Sequence, residues 1–135
     1  MSATRPLPCE RERGSVTLQM VIMFPAVLLV LALVTQACLW FLARDAALSS
    51  AQEGVRAART HQASPSAARE AALAFARTTG QGFLNQPTAT VNATATDIEV
   101  RVEGSVPSFV PTLRLSISQT ARGAREQFTT PQERP

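Results

Sequence analysis

Lysine and tyrosine are absent from this chain, and histidine and tryptophan occur once each, as His61 and Trp40. Asp45 and Asp97 are the only aspartates. A metal site or a catalytic triad is hard to assemble from that stock. His61 lies in a polar linker and reads as a solvated loop residue rather than a proton carrier. Phosphate-cradling loops, dinucleotide fingerprints and paired-cysteine motifs are missing too. The cysteines, Cys9 and Cys38, flank most of a long apolar run, so they cannot easily meet, and no disulfide framework follows. A lipoprotein cysteine would follow its apolar stretch, whereas Cys9 precedes it. A non-enzymatic protein with no metal and no cofactor is expected.

Charge is sparse and mixed. Residues 1–14 hold three arginines against Glu10 and Glu12, and residues 44–135 hold ten against eight acids, giving the net +3. Because every base is arginine, that small surplus lifts the pI to about 10.1 without building a patch. With neither a basic stripe nor stacking aromatics, nucleic acid is excluded as a partner. The alanine and arginine bias fits a GC-rich bacterial genome.

The most informative absence is local: between Arg13 and Arg44 there is no charged residue. A run of that length and apolarity is a membrane helix, with lipid as its partner. Pro25 inside it would free the carbonyl of Val21 and predicts a bend. Trp40 and Phe41 fall where an aromatic belt marks the far interface. Beyond Arg44, Leu48, Ala51, Val55 and Ala58 recur at helical spacing, with Asp45, Ser49, Gln52, Arg56 and Arg59 on another face. The helix is therefore expected to continue into water, spanning about 67 Å from Ser15 to Arg59 if unbroken. Two stripes of small residues, Ala43-Ala47-Ala51 and Ala46-Ser50-Gly54-Ala58, offer a surface for close helix packing.

Ser64-Pro65 reads as an N-cap with proline at the first helical position, opening a second helix that Gly80 stops after Thr79. The period then changes to two. Thr88 to Thr96, Ile98 to Glu103 and Leu113 to Ser118 are predicted strands, with a loop at Gly104 to Pro111 broken by Pro107 and Pro111. The expected fold is α+β: a single-span membrane protein with a long N-terminal helix, a short second helix and a small antiparallel sheet of about three strands. Its divisions are a leader at 1–14, disordered through residue 13; a transmembrane helix at 15–42; a water-exposed continuation at 43–63; a head at 64–120; and a flexible tail at 121–135.

Arg13-Gly14-Ser15 opens the apolar run, Phe24-Pro25 is followed by Leu28 and Leu29, and Ala43-Arg44 leads to Gln52-Glu53-Gly54-Val55-Arg56-Ala57-Ala58. In these features the chain resembles the TadE-like family of Tad (tight adherence) pilus pseudopilins, in its high-GC Gram-positive form. The resemblance implies a pilin-like fold and cleavage by a prepilin peptidase between Gly14 and Ser15. It also implies a cytoplasmic leader and an extracytoplasmic head, an orientation that charge does not decide, because Arg5, Arg11 and Arg13 before the span face Arg44, Arg56 and Arg59 after it. Other pilins and Tad assembly components are the implied partners. Gln19 stands where prepilins carry a glutamate that pairs with a neighbour's terminal amine, and Gln36 where TadE-like helices carry a second one. An amide can donate and accept hydrogen bonds but cannot neutralise an ammonium. Gln19 and Gln36, with Ala43, Ala47, Ala51, Gly54 and Ala58, are the expected packing and docking residues.

The function expected on these grounds is that of a minor pilin or pseudopilin of a Tad-type, type IV-like pilus. An alternative is a single-span anchor displaying a small extracellular binding module unrelated to pili. A third reading is a secreted protein cut near Thr35-Gln36-Ala37. It suffers from an apolar region, Val16 to Leu39, of about 24 residues, where a signal peptide has 7 to 15.

Overall fold

A computed structural model describes residues 11–59, 64–109 and 112–125. Helix α1 spans Arg11–Arg59 and α2 spans Pro65–Thr79, followed by strands β1 (Asn85–Ala93), β2 (Asp97–Val106) and β3 (Leu115–Ala124). The class is the expected one: a long apolar N-terminal helix, a short second helix and a three-stranded antiparallel sheet in the order β1-β2-β3. The chain divides into two compact units, residues 1–35 and 36–135.

In the first unit α1 begins at Arg11, so residues 11–13 are helical rather than part of a disordered leader. Arg and Glu are good helix formers and need no break before the apolar run. Pro25 lies inside α1, which passes through it as one helix. From Val16 to Thr35 every side chain is exposed. The remainder of the expected leader, 1–10, lies outside the described residues, as does His61.

The second unit is built from the end of α1, α2 and the sheet. Ser64 caps α2, its hydroxyl accepting from the Ala67 N–H at 3.2 Å, and the Gly80 N–H closes the helix on the Ala76 carbonyl at 2.9 Å. Along β2, Ile98, Val100 and Val102 are buried while Arg101 and Glu103 face water. Ala89 opposite Val102 and Val91 opposite Val100 extend the same inward face. On the outward face Glu99 and Arg122, direct cross-strand partners, pair at 2.6 Å.

Strand limits differ from the sequence reading. Thr94 to Thr96 form the β1–β2 turn instead of ending β1. The Thr94 hydroxyl donates to the Asp97 carbonyl and accepts from the Asp97 N–H, both at 3.0 Å, a local bond that competes with strand pairing. At its other end β1 reaches back to Asn85, through an irregularity between Asn85 and Thr88. Strand β3 pairs with β2 along its whole length, from Val106 opposite Leu115 to Asp97 opposite Ala124. Residues 121–124, expected in a loose tail, are therefore strand, and Leu113, expected at the strand's start, is an exposed loop residue. The tail beyond, 126–135, lies outside the described residues.

Candidate membrane and packing surfaces

The Val16–Arg59 part of α1 is long and apolar enough to cross a membrane, and its most apolar window has no residue buried by the rest of the chain. Val16, Leu18, Met20, Val21, Ile22 and Phe24 are each more than half exposed. An apolar surface of this kind requires an apolar surround. Gln19 lies on it, exposed. Gly14 and Ser15 belong to the first turns of the helical backbone.

Past the unit boundary α1 changes character. Gln36, Leu39 and Trp40 are half-buried and Ala43 is fully buried, four positions on one helical face. Phe41 and Leu42 remain exposed. Trp40 meets Phe41 edge to face at 5.1 Å between ring centroids, and the Arg44 guanidinium sits 5.8 Å from the Trp40 ring. The first charge after the apolar run is thus tied to the expected belt.

Both small-residue stripes are buried within the chain itself. Ala43, Ala47, Ala51 and Ser50 are 0% exposed and Ala46 and Ala58 3%. A third small-residue stripe, Ala68, Ala72 and Ala76 of α2, is also 0% exposed, and Ala68 and Ala72 stand against Gly54. At Gly54 three layers meet closely. A Cβ on it would lie 2.9 Å from Val100 Cγ1, 3.0 Å from Ala72 Cβ and 3.1 Å from the Ala68 carbonyl oxygen. Gly123 similarly admits Val55, at 2.6 Å from where a Cβ would stand. Ala43, Ala47, Ala51, Gly54 and Ala58 are thus all buried within the second unit, and at Gly54 the neighbours are Val100 of β2 and Ala68 and Ala72 of α2.

Gln36 has a role that spacing alone did not suggest. Its Nε2 donates to the Pro107 carbonyl at 3.2 Å, and its Oε1 accepts from the Phe109 N–H at 3.2 Å. The two bonds fix which end of the amide is which. Side-chain amide and loop backbone thus pair in two directions, across 71 and 73 positions of sequence. Pro107 and Phe109 were missed as site residues. The available signal was the uncharged stretch from Gly104 to Leu113, which carries two prolines.

Of chemistry there is little sign: among the described residues no group of three or more His, Cys, Asp or Glu could hold a metal ion. Cys38 is a free, exposed thiol.

The family model described as TadE-like protein matches residues 14–56. That stretch contains Gly14, Ser15, Gln19, Gln36 and the small-residue stripes as far as Gly54. No curated protein and no solved structure matches the chain.

Proposed function

We propose, on the premise that residues 14–56 form a TadE-like segment, that this chain is a minor pilin or pseudopilin of a Tad-type pilus, acting in assembly by packing rather than catalysis. It is a single-pass membrane protein with residues 1–14 in the cytoplasm, residues 15–42 in the membrane and the head at 64–120 outside. A prepilin peptidase cuts between Gly14 and Ser15, and the new N-terminus begins the apolar helix.

One observation carries this reading: the apolar side chains from Leu18 to Val34 are exposed, whereas the small residues from Ala43 to Ala58 are buried inside the chain. Contacts with other pilins then fall to the 16–35 surface, supplemented by the outward face of the sheet. Gln19 sits near the start of that surface. Its carbonyl oxygen can accept a hydrogen bond from a neighbour's terminal ammonium without neutralising it, a contact worth roughly 0.6 to 2 kcal/mol between helices in lipid. Docking through Gln19 is thus weaker and less charge-selective than through a carboxylate.

Intact-mass measurement of the membrane form, made in the presence of the matching prepilin peptidase, tests the proposal. Loss of residues 1–14 is expected. A chain that keeps them, and whose helix never crosslinks to pilins or assembly components, is instead a single-span anchor displaying its head. The diversion of Gln36 to an intramolecular bond favours that second reading to the extent that docking depends on polar groups in the helix.

A further inference from the structure

Helix α1 carries no charge between Gln36 and Arg44, and the second unit nonetheless reaches down it as far as Gln36. Gln36 precedes the belt residue Trp40 by one helical turn, about 6 Å, and Arg44 by about 12 Å at 1.5 Å per residue. The polar interfacial layer on each side of a bilayer is of roughly the first dimension. Whatever is bonded to Gln36 is therefore at the border of the hydrocarbon, provided that residues 15–42 span the membrane.

The segment bonded there is suited to that depth. From Gly104 to Leu113 the sequence has no charged residue, and Arg114 is the next. Phe109 is 65% exposed, with no protein surface over most of it, and Leu113 is 43% exposed. Irregular backbone is costly next to lipid because its N–H and C=O groups lose water. Here Pro107 has no N–H to satisfy, while its carbonyl and the Phe109 N–H are both taken by the Gln36 amide. One polar side chain in the apolar helix thus closes off the polar groups that an adjoining loop turns toward it, and leaves a phenyl ring outward.

We propose that residues 107–109, which follow β2, form a second membrane contact: Gln36 holds them beside α1, and Phe109 enters the lipid interface at the level of Trp40 and Phe41. The partner is the bilayer. The second unit then meets the membrane through this segment as well as through α1. This rests on the membrane-span reading of residues 15–42, and the test separates the two.

The full chain, with Cys9→Ser and Cys38→Ser, is reconstituted in phosphatidylcholine–phosphatidylglycerol vesicles. Nitroxide labels are placed singly through Phe109→Cys, Val30→Cys and Thr90→Cys, all exposed positions where a label leaves the core intact. Accessibility to oxygen, which concentrates in lipid, is compared with that to a water-soluble nickel chelate. The oxygen-to-nickel ratio at 109 is expected to exceed that at 90 several-fold and to approach that at 30. Adding Gln36→Leu should return the ratio at 109 toward that at 90. A lipid-like ratio at 30 with a water-like ratio at 109 overturns the second contact while leaving the span standing. Water-like ratios at both 30 and 109 overturn both. A label at 109 shielded from both reagents shows a protein neighbour in place of lipid and overturns the proposal as well. An unchanged ratio in the Gln36→Leu chain overturns the role given to Gln36.

Discussion

The α-carbon of Gly54 stands against Val100 so closely that a methyl group there would lie 2.9 Å from Val100 Cγ1. Val100 is itself fully buried at the centre of β2, so it has little room to retreat. Helix and sheet are in contact at this point because one partner has no side chain. Replacing Gly54 by valine adds volume between three layers, since Ala72 and the Ala68 carbonyl crowd the same position. The expected cost is about 1–3 kcal/mol, the usual range for overpacking. It should appear as a lowered unfolding temperature of the second unit in detergent micelles. A variant as stable as the parent would mean that α1 does not sit this close to the sheet.

Gln36→Glu tests the pairing with the loop. A carboxylate accepts only, so it keeps the Phe109 N–H but places an oxygen against the Pro107 carbonyl oxygen, 3.2 Å away in the parent contact. Loss of the donor should cost about 1–3 kcal/mol and raise hydrogen exchange at the Phe109 amide. Gln36→Leu removes donor and acceptor together, so exchange at the Phe109 amide should rise further in that variant than in Gln36→Glu.

Local signals in the sequence were read correctly where the physics is local. Ser64, Pro65 and Gly80 bound α2 as capping chemistry requires, and α1 ends at Arg59 where its apolar period ends. The alternation of Ile98, Val100 and Val102 gave the buried face of β2. Strand ends were less legible, because β3 runs to Ala124 only through pairing with a ten-residue β2, and polar Gln119, Thr120 and Arg122 give no sign of it alone. Small-residue stripes showed that something comes close without showing what. Their partners, α2 and Val100, lie in other elements. Gln36 stood out as an amide in an apolar run, but its partners are some seventy residues away and are backbone groups, which have no signature in side-chain identity.

Ser64→Ala removes the only hydroxyl that accepts from the Ala67 N–H at the start of α2. Loss of a serine N-cap typically costs about 1 kcal/mol. Because Ala68, Ala72 and Ala76 hold the rest of α2 in the core, the damage should stay near the first turn. Faster amide exchange at Ala67 and Ala68, with little change at Ala76, is the expected pattern. Uniform acceleration along α2 would show instead that the cap governs docking of the entire helix.

Bulk added to α1 should act differently on either side of the boundary between its two units. Ala47 is 0% exposed and surrounded by the chain's own core, so Ala47→Leu should destabilise the second unit by about 1–3 kcal/mol whether or not other subunits are present. Ala32 lies on the exposed apolar surface, and Ala32→Leu should leave thermal unfolding of the second unit unchanged. If contacts with other pilins fall on the 16–35 surface, Ala32→Leu should still change the yield of helix–helix crosslinks formed in membranes, since close approach in lipid depends on small residues. A stability loss for Ala47→Leu together with a crosslinking change for Ala32→Leu would separate internal from intermolecular packing along one helix. If Ala32→Leu alters neither quantity, the lipid-facing surface near position 32 is not where subunits meet, and the anchor reading gains at the expense of the pilin one.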